Sequence, residues 1–356
     1  MTARLEIDLG AIQENWRKLD AMHPGETAGV VKADAYGLGM AQVAPVLAEA
    51  GCRTFFTAHL AEAVALRGLL PEARIATLNS IELGEGAEYA ALGIIPVLGS
   101  LHEVTLWQAQ AQILGRPLPC FLQLDTGMHR LGLSQGELAR LYQDESLLAG
   151  LRVDVVMTHL LASDVPEDRN NDRQARLFSE LVKQFPGVKT SFANSSGMFL
   201  GERFFSDLAR PGAALYGLNP TPGHPNPMRN VVRLSANILQ IHELEPGDTV
   251  GYCGTWQARR PSRIATIGVG YADGYHRSLA NKGVAYFDDT PVPLVGRVSM
   301  DLSTFDVTGV PANIGDRLTL LGAAHGADAL AEEAGTNGYE ILTSLGRRFA
   351  RRYVGA

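Results

Sequence analysis

Residues 29–39 read Gly29-Val30-Val31-Lys32-Ala33-Asp34-Ala35-Tyr36-Gly37-Leu38-Gly39. An apolar, β-branched run delivers one lysine and then breaks into small residues and glycines. A lysine that ends a buried strand is uncommon unless its ammonium group has a partner or a covalent use. Burial lowers a lysine pKa and frees the amine as a nucleophile toward a carbonyl. A strand-end lysine pointing into solvent satisfies the same residues, so the choice rests on the remainder of the chain.

Working outward, a helix is expected over Ala11 to Leu19, with Asp8 or Gly10 as its cap. Short apolar runs then recur near 28–32, 53–57, 74–78, 94–98, 119–125, 151–158, 188–192 and 207–216, separated by longer amphipathic stretches. Met40, Val43, Val46, Leu47 and Ala50 form one helical face, and Leu101, Val104, Leu106, Ala109 and Ile113 form another. Eight strand-like runs in this rhythm predict an α/β fold of the (β/α)8 barrel type. A doubly wound open sheet alternates in the same way; the repeat count favours closure. Lys32, Asp125, His159, Asn194 and Arg210 all fall at or just after strand C-termini, the face on which such barrels carry their sites.

Near 219–230 the chain becomes too proline-rich for a helix or inner strand, which marks a linker. Beyond it, Val231 to Ile241, Arg263 to Val269, Val284 to Phe287, Val292 to Val298, Leu302 to Val307 and Arg317 to Leu321 read as strands of a mostly β C-terminal domain. The organisation expected is an N-terminal strand, 1–10, packing with the C-terminal domain; a barrel over 11–222; and a mostly β domain over 223–356. A last helix is expected from Tyr339 to Tyr353, with Arg347, Arg348, Arg351 and Arg352 at its solvated end.

A net charge of −7 across 356 residues, with no basic cluster except those terminal arginines, argues against nucleic acid as a partner. Three widely spaced cysteines, Cys52, Cys120 and Cys253, show no metal or disulfide spacing and fit a reducing cytoplasm. No run of about 18 apolar residues occurs, so no membrane partner is expected, and no metal is.

Asn194-Ser195-Ser196-Gly197 follows a strand and opens a helix, which offers hydroxyls and backbone N–H groups to an anion. An ordinary helix cap is the competing reading. Arg210-Pro211-Gly212-Ala213 adds a second close backbone approach. A lysine amine and a phosphate cradle on one barrel face is the arrangement that pyridoxal 5'-phosphate requires. In the second domain, Gly251-Tyr252-Cys253-Gly254 and Gly270-Tyr271-Ala272-Asp273-Gly274 present tyrosines between glycines. These are surface turns unless the domain covers a barrel mouth, and a phenol needs neighbouring positive charge to act as a base near neutral pH.

The stretch Val30–Gly39 resembles the cofactor attachment motif of the bacterial alanine racemases. The resemblance continues through Leu124-Asp125-Thr126-Gly127-Met128-His129-Arg130-Leu131-Gly132, Arg210–Gly217, the two tyrosine motifs, Gly296-Arg297-Val298-Ser299-Met300-Asp301 and Asn337-Gly338-Tyr339-Glu340. It implies an L-alanine/D-alanine racemase supplying peptidoglycan. It also implies a homodimer in which each site borrows residues from the other subunit. Lys32 would hold pyridoxal phosphate and exchange the α-proton on the D face, and Tyr252 of the second subunit would serve the L face. Tyr36, Ser195, Gly212, Ala213 and Tyr339 match the phosphate contacts. Arg210 matches the arginine at the pyridine nitrogen, and His159 matches the histidine that joins the catalytic tyrosine to Arg210. Arg130 and the Met300 N–H match the substrate carboxylate contacts, and Tyr271 and Tyr339 match a narrow access gate.

Two positions depart from the family pattern. Gln123 stands where many members carry a carbamylated lysine, so no bicarbonate dependence is expected. The Gln123 amide oxygen can accept from Arg130, and an anion beside it is allowed. Ser191 stands where a histidine often supports the pyridine-facing arginine, which would leave Arg210 held mainly by His159. The competing activities are a broader racemase acting on serine or basic amino acids, an amino-acid decarboxylase of similar architecture, and a non-catalytic pyridoxal-phosphate-binding protein.

Overall fold

In the computed structural model, which describes residues 3–355, seven parallel strands follow one another in sequence order. They are Gly29–Val30, Thr54–Thr57, Arg74–Thr77, Ile95–Leu98, Leu118–Gln123, Leu151–Met157 and Lys189–Ser191. An eighth strand, Leu208–Ala209, pairs in parallel with Glu26–Thr27, which leads directly into the first. On that side the Ala28 and Val30 amides donate to the carbonyls of Ala209 and Pro211 at 3.0 and 3.1 Å. On the other, the Arg210 amide donates to the Ala193 carbonyl at 2.9 Å. Closure leaves no open edge, which is what separates a barrel from the doubly wound alternative. The eighth strand is much shorter than the 207–216 run suggested, because after Pro211 the chain turns into a short helical segment, Ala213–Tyr216.

The first helix, Leu9–Met22, is capped by Asp8, whose carboxylate accepts from the Ala11 amide at 2.8 Å. Its buried Asn15 donates to the carbonyls of Leu215 and Arg229 and accepts from the Arg229 amide, which ties the proline-rich connection to the barrel. The helix Leu101–Leu114 corrects one expected face: Ile113 and Ala109 point to solvent, and Glu103, Val104, Trp107 and Ala111 are buried. The reason is Trp107, whose indole meets Tyr89 edge-on and donates to the Pro119 carbonyl at 3.0 Å. No helix among the described residues is long and apolar enough to cross a membrane.

The second domain is built on the long strand Val232–Leu244. Its first half pairs with Ala3–Asp8 and Arg317–Leu321, and its second half pairs with Ser262–Ile267. The N-terminal strand therefore lies inside this sheet, antiparallel to Val232–Leu244 and parallel to Ala350–Val354. That last pairing corrects the expected terminal helix. The helix is only Gly338–Ser344, and Arg351 and Arg352 lie on a strand whose backbone groups are satisfied by Arg4 to Asp8.

Candidate active site

Lys32 sits where the first barrel strand ends, and the backbone beyond it is unusual. Ala33, Asp34, Ala35 and Tyr36 have φ of 53°, 54°, 54° and 55°, a left-handed turn of four consecutive non-glycine residues. Such residues each cost on the order of 1–2 kcal/mol relative to right-handed backbone, so the surroundings must hold them. The Ala35 and Gly37 amides donate to the carbonyls of Val31 and Ala33, and the Asp34 carboxylate accepts from the Met40 amide. The C-terminal segment closes over the turn: Arg351 donates to the Gly37 carbonyl at 2.7 Å and the Tyr353 hydroxyl to the Leu38 carbonyl at 3.0 Å. Gly37, at φ 82°, admits no larger residue because a Cβ would meet the Leu342 carbonyl.

Lys32 opens into a cavity of about 560 Å³ shared with His59, Asn79, Gln123, Arg130 and His159. Burial, with Arg130 adding to it, pulls the Lys32 amine below its ordinary range, and the Glu62 carboxylate opposes that shift. The His159 imidazole is lowered further, to about 3, by burial and by the positive charges of Arg210, Arg130 and Lys32. It is therefore neutral near pH 7 and can accept a hydrogen bond there. Asp125 plays a different part from the other strand-end residues. Its carboxylate accepts from the Gly127 and His129 amides and pairs with the His129 ring at 2.7 Å, shaping the loop that carries Arg130.

Arg210 is buried and keeps its proton at neutral pH, although burial brings its pKa down to about 10. Its guanidinium donates to the Ser191 hydroxyl and to the Thr158 carbonyl, each at 2.5 Å. Among the described residues it makes no hydrogen bond to His159, which corrects the expectation that His159 would be its main support. Ser191 is short enough to sit under Arg210 while its own hydroxyl donates a hydrogen bond to the Leu208 carbonyl at 2.6 Å. Gln123 likewise differs from expectation: its amide nitrogen donates to the Leu131 carbonyl at 3.0 Å, and no bond to Arg130 is found among the described residues.

Four of the five residues expected at the phosphate, Tyr36, Ser195, Gly212 and Tyr339, lie next to one another. The Gly212 and Ala214 amides point at the Ser195 hydroxyl at 3.0 and 3.1 Å. A Cβ on Gly212 would collide with the Tyr36 hydroxyl, so only glycine lets that phenol approach. Tyr36 packs on Tyr216 at 4.7 Å and lies 6.2 Å from Tyr339, and burial raises its pKa, which keeps it a donor. A serine hydroxyl braced by two backbone amides beside a buried phenol suits a phosphate, and a lysine four residues before that phenol in the same turn suits an aldehyde, so these residues fit pyridoxal phosphate. Asn194 stands behind them: its side-chain amide oxygen accepts from the Ser163 hydroxyl and from the Gly197 amide.

The second-domain residues form a separate, exposed group. Tyr252 is 70% exposed and does not line the Lys32 cavity. Tyr271 and Met300, 42% and 55% exposed, lie on adjoining loops whose amides at Tyr271 and Ala272 donate to the carbonyls of Ser299 and Met300. Arg348 clasps those loops through Asp273 at 2.7 Å and Asp301 at 2.8 Å. Sequence reasoning passed over Glu62, Thr158 and Asn79. Asn79 follows the third barrel strand as Lys32 follows the first, a positional signal that was available; Glu62 reads as an ordinary first-turn glutamate of the helix Leu60–Leu69.

Comparison with known proteins agrees with this geometry. Residues 7–220 match the model of the alanine racemase N-terminal domain, and residues 231–353 match that of the C-terminal domain. The alanine racemase of Acidiphilium cryptum is 56% identical over 348 residues, covering 98% of this chain and 97% of its own. That of Brucella suis biovar 1 is 46% identical over 368 residues, covering 98% and 93%. Among solved structures, alanine racemase from Bartonella henselae with covalently bound pyridoxal phosphate superposes with a TM-score of 0.96 at 40% identity, covering 99% of this chain and 100% of its own. Biosynthetic alanine racemase from Pseudomonas aeruginosa gives 0.93 at 32%, covering 99% of each.

Proposed function

Because this chain belongs to the alanine racemase family and interconverts L- and D-alanine with pyridoxal phosphate, we propose that Lys32 and Tyr252 are its two opposed bases, contributed by different subunits of a homodimer. When bound, the cofactor withdraws electrons and makes the substrate α-proton acidic. Racemisation then requires a proton to leave one face and return to the other. The Lys32 amine, already shifted toward its neutral form, takes or returns the proton on the D face. The Tyr252 phenol oxygen does so on the L face, with the neutral His159 ring as its hydrogen-bond acceptor.

Tyr36, Ser195, Gly212, Ala213 and Tyr339 hold the phosphate, with Asn194 bracing Gly197 and Ser163 behind them. Arg210, with two of its five donors used by Ser191 and Thr158, has others left for the pyridine nitrogen. A guanidinium there would not give up its proton and would leave the ring nitrogen unprotonated. Arg130 and the Met300 amide take the substrate carboxylate, Gln123 lines the wall beside Arg130, and Tyr271 and Tyr339 narrow the access. The two buried free thiols Cys52 and Cys120 are consistent with a reducing cytoplasm. The relative described as biosynthetic supports D-alanine supply for peptidoglycan as the role.

One observation carries the shared site: the proposed second base is exposed and lies outside its own chain's lysine cavity. Mixing the inactive variants Lys32→Ala and Tyr252→Ala tests it. Heterodimers pair an intact lysine with an intact tyrosine at one of their two sites, so activity returns on subunit exchange. A mixture that exchanges subunits and stays inactive would remove the proposal.

A further inference from the structure

We infer that Glu62 is the positioning residue for Lys32, its carboxylate clamping the backbone at the start of the left-handed turn and placing a negative charge on the peptide that follows the lysine. One carboxylate oxygen accepts from the Ala33 amide at 2.6 Å, the first N–H after Lys32. The other accepts from the Ala58 amide at 2.8 Å, just past the C-terminus of the second barrel strand. Glu62 thus bridges the ends of two neighbouring strands from the first turn of the helix Leu60–Leu69. Residues of that turn ordinarily serve only their own helix; here one oxygen leaves the helix and is spent on the strained turn.

The groups around the amine give this carboxylate a second effect. Arg130 and His159 share the cavity with Lys32, as do His59 and Glu82. Arg130 pushes the amine toward its neutral form, and Glu62 pushes back. The Glu62 charge therefore opposes the burial and the Arg130 charge that free the amine, while the same group fixes the backbone from which the lysine side chain extends. The inference rests on the reading of Lys32 as the cofactor lysine.

The test compares wild type with Glu62→Gln, which keeps an acceptor for Ala33 and removes the charge, and with Glu62→Ala, which removes both. Full-length chains stripped of cofactor are labelled with an amine-reactive reagent across pH, and the Lys32 peptide is followed by mass spectrometry beside those of the exposed Lys183 and Lys282. Glu62→Gln is expected to lower the Lys32 labelling midpoint by about one pH unit and to leave the two control lysines unmoved. Glu62→Ala is expected to do the same and to release cofactor faster from the holoenzyme. A Lys32 midpoint unchanged in Glu62→Gln, or moved equally at all three lysines, overturns the inference, since a purely structural cap would alter melting but not that midpoint. Borohydride reduction of wild-type holoenzyme separates the two readings. A pyridoxyl group fixed on a lysine other than Lys32 overturns both readings, and fixation on Lys32 with an unmoved midpoint overturns the Glu62 assignment alone.

Discussion

The Arg351 guanidinium donates to the Gly37 carbonyl at 2.7 Å, a contact between residues 314 positions apart. It joins the last strand of the β domain to the turn that follows Lys32. Because that turn is held in a conformation its residues disfavour, the bond does more than stabilise the surface. Arg351→Ala is expected to cost about 1–3 kcal/mol, visible as a lower melting temperature, and to speed cofactor loss. Arg351→Lys, which can still reach one carbonyl, should lie between. A variant that melts lower yet retains cofactor as wild type does would uncouple the two domains.

Ser191 is the hydroxyl on which Arg210 rests, and both are buried. Ser191→Ala leaves a buried guanidinium N–H without its acceptor, at a cost of about 1–3 kcal/mol. We expect kcat/KM to fall about tenfold, equivalent to about 1.4 kcal/mol in the barrier, with an altered cofactor absorption spectrum. A spectrum and rate equal to wild type would show that Thr158 alone suffices.

His159 titrates near 3 in the folded chain, because burial and three neighbouring cations exclude its charged form. The unfolded chain takes up that proton near pH 6.5. Between those values the unfolded state binds more protons, so stability rises with pH. The contribution is complete above about 6.5 and is lost as pH falls toward 3. His159→Gln should flatten the stability curve in that window by urea denaturation; an equally steep curve would assign the acid sensitivity to other groups.

Tyr252→Ala should lower racemisation by about 10²- to 10⁴-fold, the usual worth of a general base, while the cofactor absorbance stays. Lys32→Ala should lose both. Solvent deuterium incorporation into each alanine enantiomer reads the two faces separately, and equal loss from both faces in the tyrosine variant would refute its assignment to one.

Gln123 binds the Leu131 carbonyl through an amide that cannot be carbamylated. Added bicarbonate should therefore leave the rate unchanged, and intact mass should show no carbamate at this position.

The amino-acid sequence by itself determined the barrel and the mostly β domain that follows it, and it supplied most of the residues of the proposed site. Strand and helix periods are local properties, and the rule that barrel sites lie at strand C-termini turns those periods into a list of polar residues. Lys32, Asn194 and Arg210 were legible in this way, and the resemblance added Tyr252, Tyr271 and Met300. Tertiary structure alone decided the features that depend on partners distant in sequence. Nothing in Ala33-Asp34-Ala35-Tyr36 favours four positive φ angles; Glu62, Arg351 and Tyr353 hold the turn from two other elements, the helix Leu60–Leu69 and the strand Ala350–Val354. Arginines at Arg351 and Arg352 fit a helix or a strand equally, and pairing with the N-terminal strand chose the strand. Arg210 was visible as a strand-end arginine, but its support by Ser191 and Thr158 was not, because hydrogen bonds between strand ends leave no periodic trace in the chain.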